Sequence, residues 1–223
     1  MTIKKSIIAA LKQNLLPGLV LQCFALAIVL IYFFVPASQP VYAWFGVLKH
    51  DYGFFYAFVA TAFFGGFIPF VYLWVTKRID PSRSAFALFL FYVIFWGLKG
   101  MEVDFFYQLQ GSWFGYENTI KTIATKVAVD QFIYSGLWAA PMITITYLWM
   151  ENGFSFRACS AALTKPFFLV KIPTVIFSNW LVWIPAVSIV YSMPQDLQIP
   201  LFNLVLCFWV LLLAVLNKKP DVN

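Results

Sequence analysis

The chain is short of charge. Of its 223 residues only 11% are Asp, Glu, Lys or Arg, while 62% are hydrophobic and 21% aromatic. A soluble domain carries roughly 25% charged residues, so there are too few polar side chains here to cover a surface in water, and lipid is the expected solvent. Histidine is almost absent. His50 is the single one, which leaves a histidine-based metal site short of ligands and a serine triad with one conceivable base. The three cysteines, Cys23, Cys159 and Cys207, form no CxxC pair, so neither a disulfide framework nor a thiolate zinc site is expected. No glycine-rich phosphate loop, HExxH or GxSxG occurs in the sequence, which argues against familiar hydrolases and nucleotide-driven pumps. The expectation is a protein without catalytic residues, metal or cofactor; an intramembrane enzyme acting on lipid is the weakest reading, because no nucleophile–base pair stands out.

What the chain has in abundance is long apolar runs. A membrane-spanning helix needs about 17–25 such residues, and six stretches qualify: Leu16 to Val35, Phe54 to Thr76, Ser84 to about Gln108, about Ile123 to Met150, Thr174 to Ser192, and Leu201 to Leu216. Breakers lie between them, among them Pro36 and Pro40, Asp80-Pro81-Ser82, Glu151-Asn152-Gly153, and Pro194 to Pro200. The net charge of +6 would suggest nucleic acid in another setting. Here the basic residues sit at the ends of apolar runs, so they read as orienting charges and no nucleic-acid partner is expected. Eleven of the fifteen Lys and Arg, Lys218 and Lys219 among them, fall on the side of the N-terminus. The positive-inside rule then places both termini in the cytoplasm, in agreement with an even number of spans. The expected fold is an all-α integral membrane protein of about six transmembrane helices in one bundle. Residues 2–14, with Ile3, Ile7 and Leu11 on one face, read as a short interfacial helix before an uncleaved first span, a signal peptide being the alternative. Ser155 to Thr164 reads as a second surface helix.

The informative polar residues lie inside the third and fourth stretches: Lys99, Glu102, Asp104 and Gln108 on one, Lys126, Asp130 and Gln131 on the other. In an antiparallel hairpin turning near Gly115, Asp104 and Lys126 fall at equal depth, as do Lys99 and Gln131. Charges within a bilayer are expensive and face protein or water. Two readings follow: a buried network that locks the hairpin, or the border of a hydrated pathway for ions or small solutes. Small residues recur at i, i+4 as Ala57, Thr61 and Gly65, as Ala62 and Gly66, and again at Ser135 to Ala140, and mark close helix contacts or an oligomer interface.

From Gly97 onward the chain holds, in order, Gly97-Leu98-Lys99-Gly100, Phe106-Tyr107-Gln108-Leu109, Lys126-Val127-Ala128-Val129-Asp130-Gln131, Pro173, Asn179-Trp180-Leu181-Val182-Trp183, Pro194 and Trp209. In these pieces and their order it resembles the Mpv-seventeen and peroxisomal membrane protein family. It departs from the family where Ile184 separates Trp183 from Pro185, where Ser188, Val190 and Tyr191 replace polar family residues, and where Gln198 replaces an arginine. The resemblance implies a four-helix core over residues 84–223, preceded by an N-terminal part, residues 1–83, holding the interfacial helix and two further spans, all in one domain. It also implies a multi-pass protein of a bacterial plasma membrane, a weakly selective channel for small solutes, and a role in membrane homeostasis. The alternative is a scaffolding membrane protein without transport. Partners are the lipid bilayer, small solutes or ions, and a second copy of the chain.

Overall fold

The computed structural model describes residues 3–216, all but the turns helical, and no strand occurs among them. Lys218 and Lys219 lie outside the described residues. The helices are α1 (Ile3–Phe34), α2 (Gln39–Thr61), α3 (Ile68–Val75), α4 (Ala85–Phe114), α5 (Ile120–Ala128), α6 (Ala140–Glu151), α7 (Phe156–Ala162), α8 (Ile172–Tyr191) and α9 (Gln195–Leu216). Three π-helical segments continue the helical path: Ala62–Phe67 between α2 and α3, Val129–Ala139 between α5 and α6, and Phe167–Lys171 before α8. Five stretches are long and apolar enough to cross a membrane: Ile3–Phe34, Pro36–Val75, Ala85–Phe114, Phe167–Tyr191 and Gln195–Leu213. The stretch expected at 123–150 is helical throughout but is not among the five.

Burial runs opposite to a soluble protein. Phe34, Phe86 and Leu137 are 69–76% exposed, whereas Lys99, Asp104, Asp130 and Gln131 are 2–4% exposed. Large apolar side chains on the outside and charges on the inside suit a chain dissolved in lipid. The protein is an all-helical, multi-pass membrane protein.

Local chemistry sets the ends of the elements. Ser84, Thr119 and Ser155 cap α4, α5 and α7, each hydroxyl accepting from a backbone N–H three residues on. Turns after α3 and α6 use left-handed backbone at Lys77 and at Gly153 and Phe154. In the linker before α4, the Asp80 carboxylate accepts from the backbone N–H of Ser82 at 2.9 Å and from its hydroxyl at 2.7 Å.

Two expectations change. The interfacial helix at 2–14 is not separate: α1 is continuous from Ile3 to Phe34, with Pro17 inside it, and its roughly 48 Å exceed the about 30 Å of hydrocarbon that one span needs. The loop after the first span is also largely helical. Pro40 falls in the first turn of α2, where a missing N–H is harmless, and the break comes later, at Gly53 (φ 49°, ψ −122°). That left-handed φ favours glycine.

The chain forms two compact units, and their limits do not fall at residue 83. The first takes in residues up to Gln22 and Glu117–Ser192; the second takes in Cys23–Tyr116 and residues from Met193 on.

In the first unit, α1 lies on α8. Gly18 faces Val182, whose Cγ2 would stand 3.2 Å from an added Cβ. Pro185 has no N–H to give to the Leu181 carbonyl one turn back, and the Gln22 side-chain amide donates to that carbonyl at 3.3 Å. Asn14 donates to the Ser178 hydroxyl at 2.5 Å. In the second unit, α4 packs against α2 and the π segment that follows it through glycines. A Cβ on Gly100 would stand 2.3 Å from the Thr61 hydroxyl and 2.4 Å from the Ala57 carbonyl; one on Gly66 would stand 2.6 Å from the Tyr92 carbonyl. The small residues marked in the sequence therefore sit at helix contacts, as lipid-dissolved packing requires.

Candidate functional site

The buried polar residues gather in two places, one in each unit. In the first unit they centre on the π-helical segment Val129–Ala139, eleven residues long. Such segments are rare and usually short, and they concentrate at functional sites. One π turn closes at i, i+5, so Asp130 and Ser135 return to the same side. Asp130, Gln131 and Ser135 are 4%, 2% and 9% exposed.

Across from them, α8 supplies the partners. The Tyr191 hydroxyl donates to Asp130 Oδ2 at 2.6 Å, and the Gln131 side-chain amide donates to Oδ1 at 2.8 Å. Asn179 Nδ2 donates to the Ser135 hydroxyl at 3.0 Å and approaches Gln131 Oε1 at 3.4 Å. The Trp180 indole donates to the Gln131 backbone carbonyl at 2.8 Å. Gly136 leaves room for that ring, since an added Cβ would stand 3.6 Å from it and 3.1 Å from the same carbonyl. Phe132 and Phe177 hold the indole edge-on at 4.9 and 5.2 Å. Lys126, 5% exposed, places its ammonium 5.9 Å from the centre of the Tyr191 ring. Tyr191 thus serves a cation with its face and a carboxylate with its hydroxyl. Asp130 has neutral donors on both oxygens and no ion pair among the described residues.

In the second unit, Asp104 pairs with Lys49 of α2 at 3.1 Å, with both side chains under 8% exposed. Asp104 Oδ2 has no hydrogen-bond partner among the described residues. Lys99 reaches Glu102 on its own helix at 2.5 Å. Nearby, the Thr61 hydroxyl donates to Asn203 Oδ1 of α9 at 2.7 Å. Matched depth had set Asp104 opposite Lys126 and Lys99 opposite Gln131. The ion pairs observed for Asp104 and Lys99 are instead with Lys49 and Glu102, because α2 brings Lys49 inward from the stretch between the first two expected spans.

Of the positions carried by the resemblance, Asn179 and Trp180 both reach Gln131, whose side-chain amide in turn holds Asp130. Trp183 is half-buried on the same helix, Pro173 sits in the first turn of α8, Pro194 is exposed between α8 and α9, and Trp209 is a half-buried residue of α9. Three residues that sequence reasoning did not single out contribute: Tyr191, Lys49 and Asn203. Asn203 carried a signal, being a polar side chain within an apolar stretch; Lys49, between two such stretches, and Tyr191 carried none. Among the described residues no group of three or more His, Cys, Asp or Glu is placed to hold a metal ion. No family model matches the chain, and no curated protein or solved structure matches it significantly.

Proposed function

We propose that this protein is a membrane transport protein, a weakly selective pathway for small solutes or ions, in which Asp130 is the group that takes a cation or a proton. One observation carries the reading: a carboxylate 4% exposed is held by Tyr191 and Gln131 alone, without an ion pair among the described residues, inside an eleven-residue π segment. Removing an ionised carboxylate from water costs several kcal/mol unless a counter-charge or proton compensates. Ionisable groups within spans mark ion and proton routes by default. Asp104, by contrast, has its lysine and serves as a packing pair.

The resemblance to the Mpv-seventeen and peroxisomal membrane protein family points the same way, because Asp130, Gln131, Asn179 and Trp180 stand together. A topology of six spans with both ends cytoplasmic, in a bacterial plasma membrane, fits the placement of Lys and Arg. The second reading, a scaffold without transport, has its own support: Asn179 and Trp180 tie the π segment to α8 and fill the hydrogen-bonding needs of Ser135 and the Gln131 carbonyl.

Reconstitution into liposomes separates the two. Conductance and small-solute release are recorded for the wild-type chain and for Asp130→Asn. Transport that changes in the variant, with folding intact, supports the pathway. Silence of correctly inserted, folded wild-type protein across voltage, ion type and pH leaves the scaffold.

A further inference from the structure

The break at Gly53 has a second product. The helical segments on either side of it, together with α1, the π segment after α2, and α9, border a partly open cavity of about 310 Å3 within the second unit, inside the about 300–1,000 Å3 range of small-ligand sites. Ile28 and Ile31 of α1, Phe45 of α2, and Leu197, Leu201 and Leu204 of α9 give it apolar walls. Two of its polar groups are already engaged. The Tyr42 hydroxyl donates to the Ile28 carbonyl at 2.7 Å, and the Ser38 hydroxyl donates to the Val35 carbonyl at 2.7 Å. Tyr56 lines the same cavity, and its hydroxyl has no hydrogen-bond partner among the described residues.

Water gains little in such a space, because it needs two to four polar partners and apolar cavities stay dry. An empty space would forfeit dispersion contacts along every wall. The surrounding bilayer offers a filler of matching polarity, and the unpaired hydroxyl asks for one acceptor oxygen. We propose that this cavity binds a lipid acyl chain, with the chain against the leucine and isoleucine walls and its carbonyl oxygen accepting from Tyr56. A free fatty acid and a phospholipid both offer that chemistry. The site is independent of Asp130 and of the transport reading, since all its walls belong to the second unit.

Native mass spectrometry of the full chain, delipidated and then titrated with palmitic acid or with a dioleoyl phospholipid, tests it. One acyl ligand should be retained per chain, and the probe that is retained identifies its source. Leu204→Trp fills the cavity and should abolish retention at an unchanged melting temperature. Tyr56→Phe removes a hydroxyl that no described residue uses, so the fold should stand, and retention should weaken about three- to tenfold, the value of one hydrogen bond. Absence of a retained ligand, or equal retention in Tyr56→Phe, overturns the proposal, even where Leu204→Trp fails to fold.

Discussion

The Tyr191 hydroxyl lies 2.6 Å from Asp130 Oδ2, while the face of the same ring carries the Lys126 ammonium at 5.9 Å. One aromatic side chain therefore separates a buried cation from a buried anion and touches both. Tyr191→Phe keeps the ring and removes the donor. It is expected to cost about 1–3 kcal/mol, the range for a buried polar group left short of a partner, and to alter any Asp130-dependent flux. In an Asp130→Asn background most of that cost should disappear, because a neutral amide needs the hydroxyl less. Chemical unfolding in detergent of the two single variants and the double variant gives the coupling. Strictly additive effects would mean that the hydroxyl and the carboxylate do not work as a unit.

The Lys49–Asp104 pair makes the opposite prediction about charge. Both partners are buried, so removing one strands the other, at about 3–5 kcal/mol. Lys49→Met and Asp104→Leu should each destabilise by that amount, while the double variant should return close to wild-type stability, because apolar side chains of similar size often replace a buried pair without loss. The check is the same unfolding cycle. Single variants as stable as wild type would show that these groups are solvated rather than locked together.

These two sites show what was legible in the sequence and why. Polar residues in apolar runs announce themselves: Lys99, Glu102, Asp104, Lys126, Asp130 and Gln131 all stand out in the sequence, and all but the half-buried Glu102 are buried. The helical class followed from run length in the same way. Partners were harder. Equal depth along a hairpin points to the nearest helix in sequence for the counter-charge, and Pro36 and Pro40 look like breakers that make residues 36–53 a loop. A proline in a first turn does not break a helix, so Lys49 came inward on α2 and took Asp104. Tyr191 is hidden for another reason: its hydroxyl acts at the far end of an apolar ring. The π segment has no sequence signature in the periodicities used to read helices, which are 3.6 and 2.0.

Gly100 tests the packing. Its missing Cβ leaves Thr61 and Ala57 so close that an added methyl would overlap both, and the Ala57 carbonyl is backbone that cannot swing aside. Gly100→Ala should destabilise by about 1–3 kcal/mol, as overpacking does. An added Cβ at Gly136 would meet its nearest neighbours at 3.1 and 3.6 Å, so Gly136→Ala should cost less. Melting temperatures of the two variants decide the order, and a Gly100→Ala protein as stable as wild type would remove α4–α2 contact as the reason for this glycine.

Gln22 and Pro185 form a compensating pair that a double-mutant cycle can expose. Pro185 leaves the Leu181 carbonyl without its helical donor, and Gln22 supplies one from α1 at 3.3 Å. Hydrogen bonds between helices in lipid average about 0.6 kcal/mol and reach about 1.7, so Gln22→Leu should lose about that much. In a Pro185→Ala background the helix regains its own N–H, the carbonyl is satisfied from within α8, and the same Gln22→Leu change should cost little. The sign of the interaction therefore follows from the proline. If Gln22→Leu costs the same in both backgrounds, the amide's contribution comes from its packing on α8 or from its longer contact with the Val182 carbonyl at 3.4 Å, and the freed carbonyl at Leu181 is not what holds it.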